Sequence, residues 1–452
     1  MASTNTRTKT AAPLTHEGAV AKKLTKVEEL RRSVMATMLF EDQYYEGGVS
    51  IAERIATLAK EVPLDVATGI AIEARTVGNL RHAPLWILAS LHEKKLEKLG
   101  DRILLGQAVR DVIQRPDEMG ELISMYWKNG KKPLPKQMQK GLAAAFKKFN
   151  AYQLAKYAGT KSKAITPRDV MFLTHPTPDN DDQRELFKLV ANRQLPTPDT
   201  WETQLSAGGD KREVFMQLMD AGKLGALAFL RNLRNMEQAG VPMAVVKGYA
   251  QRVKTDKVLP FRFLSAAKAV PAWSHMIEDM MLRALSELEP WSGHTVILVD
   301  NSDSMYGTKI STKSDLERID AACALAILVR GVCEHATVIP FSNHPTVLES
   351  HYKGLALKDA IRRTEVSGTD IGCAVAQANK RGYDRIILIT DEQSATRLPA
   401  PLVPPHKAFC INVASYQNGL GYRQWTHIDG FSESIVSFMR EYERYEESHL
   451  DT

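Results

Sequence analysis

Thr295-Val296-Ile297-Leu298-Val299-Asp300-Asn301-Ser302-Asp303-Ser304 is an apolar run that ends in Asp-x-Ser-x-Ser. Two later fragments share its logic. One is Ser367-Gly368-Thr369-Asp370; the other is Ile387-Leu388-Ile389-Thr390-Asp391, where a second apolar run stops at Thr-Asp. Short apolar runs of this kind read as buried strands of a parallel sheet. Loops that follow the C-termini of such strands converge on one edge of the sheet. Three of them bring two carboxylates and three hydroxyls together, the hard oxygen donors that Mg²⁺ prefers. One strand ending in Asp-Asn-Ser is ordinarily only a helix N-cap; three such fragments in order favour a metal-site architecture. A phosphatase or dehalogenase needs a second carboxylate two residues after the first, and Ser302 stands there.

The surrounding sequence fits this reading. Strands are predicted at Thr295–Val299, Ala336–Phe341, Arg385–Ile389 and Ala408–Val413, with helices between them, notably Leu316–Glu334 and Gly372–Arg381. Strand and helix in alternation make an α/β, doubly wound, Rossmann-like domain. The residues and their order resemble the metal-ion-dependent adhesion site of von Willebrand factor A domains. That resemblance assigns Asp300, Ser302, Ser304, Thr369 and Asp391 to a site for Mg²⁺ or another divalent cation. It implies a further position open to water, an anion or an acidic protein ligand.

Upstream, apolar residues recur at three- and four-residue spacing in 51–58, 83–91, 142–149, 215–218 and 224–233, and Gly, Pro and Asn connectors separate them. The first 285 residues therefore read as mainly α, a stacked array of helical pairs. The predicted division is a mobile tail at 1–20, a helical domain at 21–285 and the α/β domain at 286–452. Charge divides the same way. Residues 291–452 carry 16 basic and 20 acidic side chains, net −4, and residues 1–290 carry 43 and 33, net +10. A polyanion would bind the basic half.

The composition, 44% hydrophobic and 25% charged over 452 residues, is that of an ordinary soluble protein. No apolar run is long enough to span a bilayer and no signal core opens the chain, so no membrane partner and a cytoplasmic location are expected. Cys323, Cys333, Cys373 and Cys410 lack metal-ligand spacing and read as reduced, buried thiols.

The most basic segment runs from Lys128 to Arg168, with eleven Lys and Arg and no Asp or Glu. A solvated helix face normally mixes signs. Pro135 suits the first turn of a helix continuing to Asn150. At about 100° per residue, Lys136, Lys140 and Lys147 fall within about 40° of one another, opposite Met138, Leu142, Ala145, Phe146 and Phe149. Such a lysine face suits a phosphate backbone; the alternative is a merely soluble helix. Lys156, Lys161, Lys163 and Arg168 continue the run. Thr166 then reads as an N-cap, Pro167 as the first helical residue, and Pro176 as the stop that leaves His175 at a helix C-terminus. A histidine there ordinarily packs or caps a carbonyl.

Several fragments together resemble the TROVE module of the Ro autoantigen family: Gly78-Asn79-Leu80-Arg81-His82-Ala83-Pro84, Leu134-Pro135-Lys136, Tyr152-Gln153-Leu154-Ala155-Lys156-Tyr157, Arg168-Asp169, His175-Pro176 and Arg231-Asn232-Leu233. The resemblance implies a closed ring of HEAT-like helical pairs joined to the adhesion-type domain. It implies binding of small noncoding Y-like RNA on a basic outer face and of single-stranded 3′ ends of misfolded RNAs in the hole. It also implies RNA quality control, maturation or decay beside an exoribonuclease, by a monomeric, non-catalytic scaffold. Leu173-Thr174-His175 matches the family's RNA-contacting histidine motif, and its upstream basic residues fall on Lys156 and Lys161, with two extra residues of spacing. The family's cluster is often arginine-rich; this one is almost all lysine, which favours readout of phosphate and shape.

Two other readings stand beside RNA binding. One is a protein-interaction module whose metal captures an acidic partner residue. The other is a metal-dependent hydrolase, against which count the missing second carboxylate and the lack of a placed general base. His294, His335, His344 and His427 have no partner spacing that marks a base.

Overall fold

The computed structural model describes residues 13–36, 39, 46–158, 165–197, 200–256, 258–307, 309–310, 315–414, 416, 418–421, 424–430, 432 and 435–450. Its first part is helical throughout: α1 (Lys26–Met35), α2 (Gly48–Glu61), α3 (Leu64–Thr76), α4 (His82–Leu91), α5 (Leu99–Val112), α6 (Pro116–Tyr126), α7 (Lys136–Phe146) and α8 (Ala151–Ala158). The series continues with α9 (Pro167–Thr174), α10 (Asp181–Ala191), α11 (Trp201–Ser206), α12 (Lys211–Asp220), α13 (Ala226–Gln238), α14 (Met243–Arg252), α15 (Pro260–Ala269) and α16 (Ser274–Ser286).

Local chemistry sets the helix starts. Thr25 and Glu28 form a capping box at α1, Thr166 and Asp169 form one at α9, and Pro116, Pro167 and Pro260 open their helices. Helices two apart in sequence pack together, as α3 with α5, α5 with α7 and α13 with α15, which is the contact pattern of stacked pairs. The α5–α7 crossing needs glycine. A Cβ on Gly141 would stand 2.5 Å from the Gly106 carbonyl oxygen.

The second part comprises β1 (Trp291–Asp300), α17 (Arg318–Val332), β2 (Cys333–Phe341), α18 (Gly354–Arg362), α19 (Ile371–Asn379), β3 (Arg385–Thr390), β4 (Ala408–Asn412), β5 (Thr426–Asp429) and α20 (Ile435–Leu450). The strands form one parallel sheet in the order β2-β1-β3-β4-β5. Pro340, which cannot donate to a ladder, sits on edge strand β2. Strand side chains alternate between two buried faces: Ile297 and Val299 join one core, Val296 and Leu298 the other. The sequence predicts four of these strands; β5 is only four residues long and half-buried, too short to give a periodic signal.

Two sequence expectations change. Residue 285 is not a break in the packing. One core holds α1 to α10, from Leu30 to Val190. The next runs without interruption from Phe215 in α12, through Met280 and Met281 in α16, to Met439 in α20. Helices α15 and α16 pack on α17, so the helical stack passes directly into the α/β layer. Within the expected tail, residues 13–20 are anchored: the Thr15 hydroxyl donates to the Ser394 carbonyl, and the His16 amide donates to the Gln393 side chain. Helix α1 then returns to β5, so the array leaves the sheet at α16 and comes back to it at α1, closing a ring.

Candidate metal centre and basic surface

Asp300 ends β1 and Thr390 ends β3. The register that pairs Val299 with Ile389 sets them side by side. Between β1 and β3 the winding of the sheet reverses, the place where doubly wound sheets open a crevice. There the Ser302 hydroxyl donates to Asp300 Oδ1 at 2.6 Å and the Thr390 hydroxyl to Asp300 Oδ2 at 2.5 Å. The Ser302 and Ser304 hydroxyls are 3.3 Å apart, and Ser304 bonds to Asp391. The loop carrying Thr369 is stitched to both neighbours. Ser367 accepts from the Asp303 amide, and Thr369 accepts from the Ala395 amide and the Ser394 hydroxyl. The structure thus brings Asp300, Ser302, Ser304 and Asp391 together, adds Thr390 from the same Ile-Thr-Asp fragment, and ties in the Thr369 loop through its backbone carbonyl.

The electrostatics fit a missing positive charge. Burial, and then the charge of Asp391, push Asp300 up to about 7. Burial raises Asp391 as well, against the Ser304 hydroxyl and the Gln393 amide. Oδ2 of Asp391 is buried without a hydrogen-bond partner. Such an orphan costs about 1–3 kcal/mol, and a cation held here would satisfy it and offset the repulsion. Among the described residues, no cluster of three or more His, Cys, Asp or Glu offers another metal site.

All five predicted ligands are buried, Ser304 being the most exposed at 4%. Arg318, whose charge bears on Asp391, lies 5.6 Å over the Tyr416 ring, and His16 packs edge-on to that ring. No spacing in the sequence marks Arg318. Nor does any mark the ion-pair knot at the next residue: Arg32 of α1 pairs with Glu392, which His427 meets at 2.8 Å. The sequence leaves His427 without a partner; the fold gives it Glu392 and Asp429. The cysteines are unbonded as expected, but Cys373 is exposed, in the first turn of α19.

The basic residues divide into groups. Lys136 and Lys140 are exposed on α7, whose helix ends at Phe146 rather than Asn150, so Lys147 is its C-cap. Lys147 pairs with Asp179. Lys156 and Arg168 line one cavity of about 680 Å³ with Arg193. There Lys156 pairs with Glu202 at 3.1 Å, and Arg168 donates to the Ala191 carbonyl while stacking over Phe172 at 4.7 Å. Lys161 and Lys163 lie outside the described residues. His175 caps α9 in the left-handed conformation (φ 47°), exposed, at the rim of a cavity of about 360 Å³ with Phe172 and Phe187. Lys148, part of the run, serves structure instead, donating to the carbonyls of Arg110 and Ile113 at the end of α5.

A TROVE domain family model matches residues 191–325, from the end of α10 into α17. Of the fragments that suggested the resemblance, only Arg231-Asn232-Leu233 falls inside that span. Telomerase protein component 1 of mouse is 32% identical over 111 residues, 23% of this chain and 4% of that protein. The rat protein is 38% identical over 111 residues, with the same coverage. The chain thus spans a small fraction of the curated relatives it matches. The crystal structure of the Deinococcus radiodurans Ro (Rsr) protein superposes over 93% of this chain and 100% of its own, with a TM-score of 0.58 at 15% identity. Over residues 191–325, then, the chain resembles a TROVE domain, and its overall fold is that of the Deinococcus Ro protein.

Proposed function

We propose that this protein binds RNA through its helical ring and acts as a non-catalytic scaffold. Its ligands on this reading are small noncoding, Y-like RNA and the single-stranded 3′ ends of misfolded RNAs, in quality control, maturation or decay in the cytoplasm. It would work as a monomer that can recruit an exoribonuclease. The observation that carries this is the Lys128–Arg168 run, eleven basic residues to none acidic, which begins just after α6 and reaches into α9. A surface that concentrates cations attracts a polyanion and releases its counterions. Lys136, Lys140, Lys147, Lys156 and Arg168 would contact phosphates, and His175 would stack on a base. Gel-shift titration of the full chain with a structured RNA bearing a single-stranded 3′ tail tests it. Affinity that falls steeply with salt supports the reading; no binding at low salt overturns it.

The α/β domain supports a second activity. Asp300, Ser302, Ser304, Thr369 and Asp391 would hold Mg²⁺ or a similar cation, which supplies a positive charge able to bind a carboxylate of a protein partner. The unpartnered Asp391 oxygen favours this. Calorimetric titration of Mg²⁺ into the chelator-treated protein tests metal binding; no heat and no change in melting temperature would refute it.

A further inference from the structure

Between α5 and α7 lies an open groove of about 710 Å³, within the size range of small-ligand sites. Its floor is apolar and includes exposed side chains that a surface helix would normally bury or replace: Leu99 is 71% exposed and Ile103 52%. Its rim is cationic, with Lys94, Lys95, Arg102, Arg110, Lys136 and Lys140 against one acid, Glu93. Glu93 is already held by Lys60 at 2.8 Å. Among the described residues, Lys95, Lys136 and Lys140 form no ion pair.

His92 lines this groove and is buried. Its Nδ1 is 2.7 Å from the Leu88 carbonyl. A carbonyl oxygen only accepts, so Nδ1 carries the proton and Nε2 presents a lone pair. Burial pulls the ring down to about 4, so it is neutral at pH 7. Nε2 is buried and has no hydrogen-bond partner. The groove therefore offers one unsatisfied acceptor, an apolar wall and a ring of cations. A ligand that answers all three carries an N–H donor, a flat apolar face and negative charge. A nucleotide has these in one unit.

We infer that this groove binds one nucleotide of an RNA strand, its base lying on Leu99 and Ile103 and donating a hydrogen bond to His92 Nε2, with its phosphates along Lys95, Lys136 and Lys140. The inference deepens the RNA-binding reading and rests on it. An acidic amphipathic peptide shares part of this chemistry. The nucleotide is favoured because the rim is continuous with the Lys128–Arg168 run through Lys136 and Lys140.

The test compares a short RNA oligonucleotide with the same strand made abasic, on the full chain. The base-bearing strand should bind roughly tenfold more tightly, the effect of one stacked base. His92→Phe and Leu99→Ala should each shrink that preference while keeping the salt-dependent binding of the abasic strand. Leu99 is exposed, so its variant folds and decides the matter if His92→Phe does not. The double variant Lys136→Glu/Lys140→Glu should weaken both strands alike. Equal binding of the two strands to the wild-type protein, or a preference that survives Leu99→Ala, overturns the inference and leaves RNA binding intact. If neither strand binds, the RNA reading itself falls. If AMP alone binds as tightly as the oligonucleotide, the occupant is a free nucleotide and the assignment to a strand is wrong. An acidic peptide that displaces an oligonucleotide showing no base preference makes the groove a protein site.

Discussion

Arg32 in α1 and Glu392 just after β3 form an ion pair in which neither side chain has any solvent exposure. The pair spans 360 residues of sequence. The same guanidinium also donates to the carbonyls of Tyr416 and Asn418, so a single side chain ties the first helix to three points of the α/β domain. Removing one partner of a buried pair strands the other. Arg32→Met should therefore destabilise the protein by about 3–5 kcal/mol in urea unfolding. Adding Glu392→Gln to it should recover part of that loss. A cost below about 1 kcal/mol would mean that the pair does not hold the ring shut.

The knot around this pair titrates. Burial opposes a charge on His427, but Asp429 and Glu392 outweigh it, and its pKa lies above the usual 6.5. Burial likewise works to raise Glu392, but His427 and Arg32 hold it well below the usual carboxylate range. Asp429 goes the other way, raised by burial. A histidine raised in the folded state gives stability that is lost as pH climbs through its folded pKa. A lowered carboxylate gives stability that is lost as pH falls below its unfolded value. The knot should thus contribute most at about pH 5 to 6.5. His427→Gln should lower the melting temperature most in that range, with the difference from wild type shrinking toward pH 8.5. A difference that stays constant with pH would assign His427 a packing role only.

At the metal site, Mg²⁺ should raise the melting temperature of the wild-type protein by mass action. Asp300→Asn should abolish that rise and the calorimetric signal. In chelator the same variant should be no less stable than wild type, because it removes the repulsion between two buried carboxylates. A chelated Asp300→Asn that unfolds much earlier than chelated wild type would contradict this.

For RNA, about four to six phosphate contacts give log K a slope of roughly −3 to −5 against log salt. Lys136→Ala and Lys140→Ala should each reduce that slope by slightly less than about one unit. Lys147→Ala should change it less, since Asp179 already neutralises that charge. Equal effects of all three substitutions would show that the Lys147–Asp179 pair opens on binding.

His175 can be tested without disturbing its helix end. Its left-handed backbone tolerates asparagine. His175→Asn should leave the melting temperature unchanged, because the ring is exposed, and lower RNA affinity by about 1–3 kcal/mol. Unchanged affinity would leave His175 as a cap alone.

What was legible in the sequence was whatever is local. Asp300, Ser302 and Ser304 lie within five residues, and the continuous apolar runs of β1 and β3 mark where their loops must meet. The α9 cap residues Thr166, Pro167 and Asp169 behave as their chemistry dictates. Long-range pairing was not legible. Arg32, Glu392 and His427 carry no spacing signal, because the fold rather than the chain brings them together. The break at 285 was read from texture, strand against helix, whereas packing follows apolar faces and joins α16 to α17 across it. The end of α7 is four residues earlier than the sequence suggests, which makes Lys147 its C-cap.

The docking of α1 bears on how the protein is made. Synthesis proceeds from α1 toward β5, yet the seat for α1 is built from Glu392, Tyr416 and Asn418. At roughly 5–20 residues per second, that seat leaves the ribosome some 20–70 seconds after the helix it receives. During that interval Leu30, Val34 and Met35 can lean only on α2 and its neighbours, and Arg32 waits without its carboxylate. Ring closure is therefore a late event of biogenesis, and a nascent chain stalled short of Glu392 presents an unlatched first helix to chaperones and proteases.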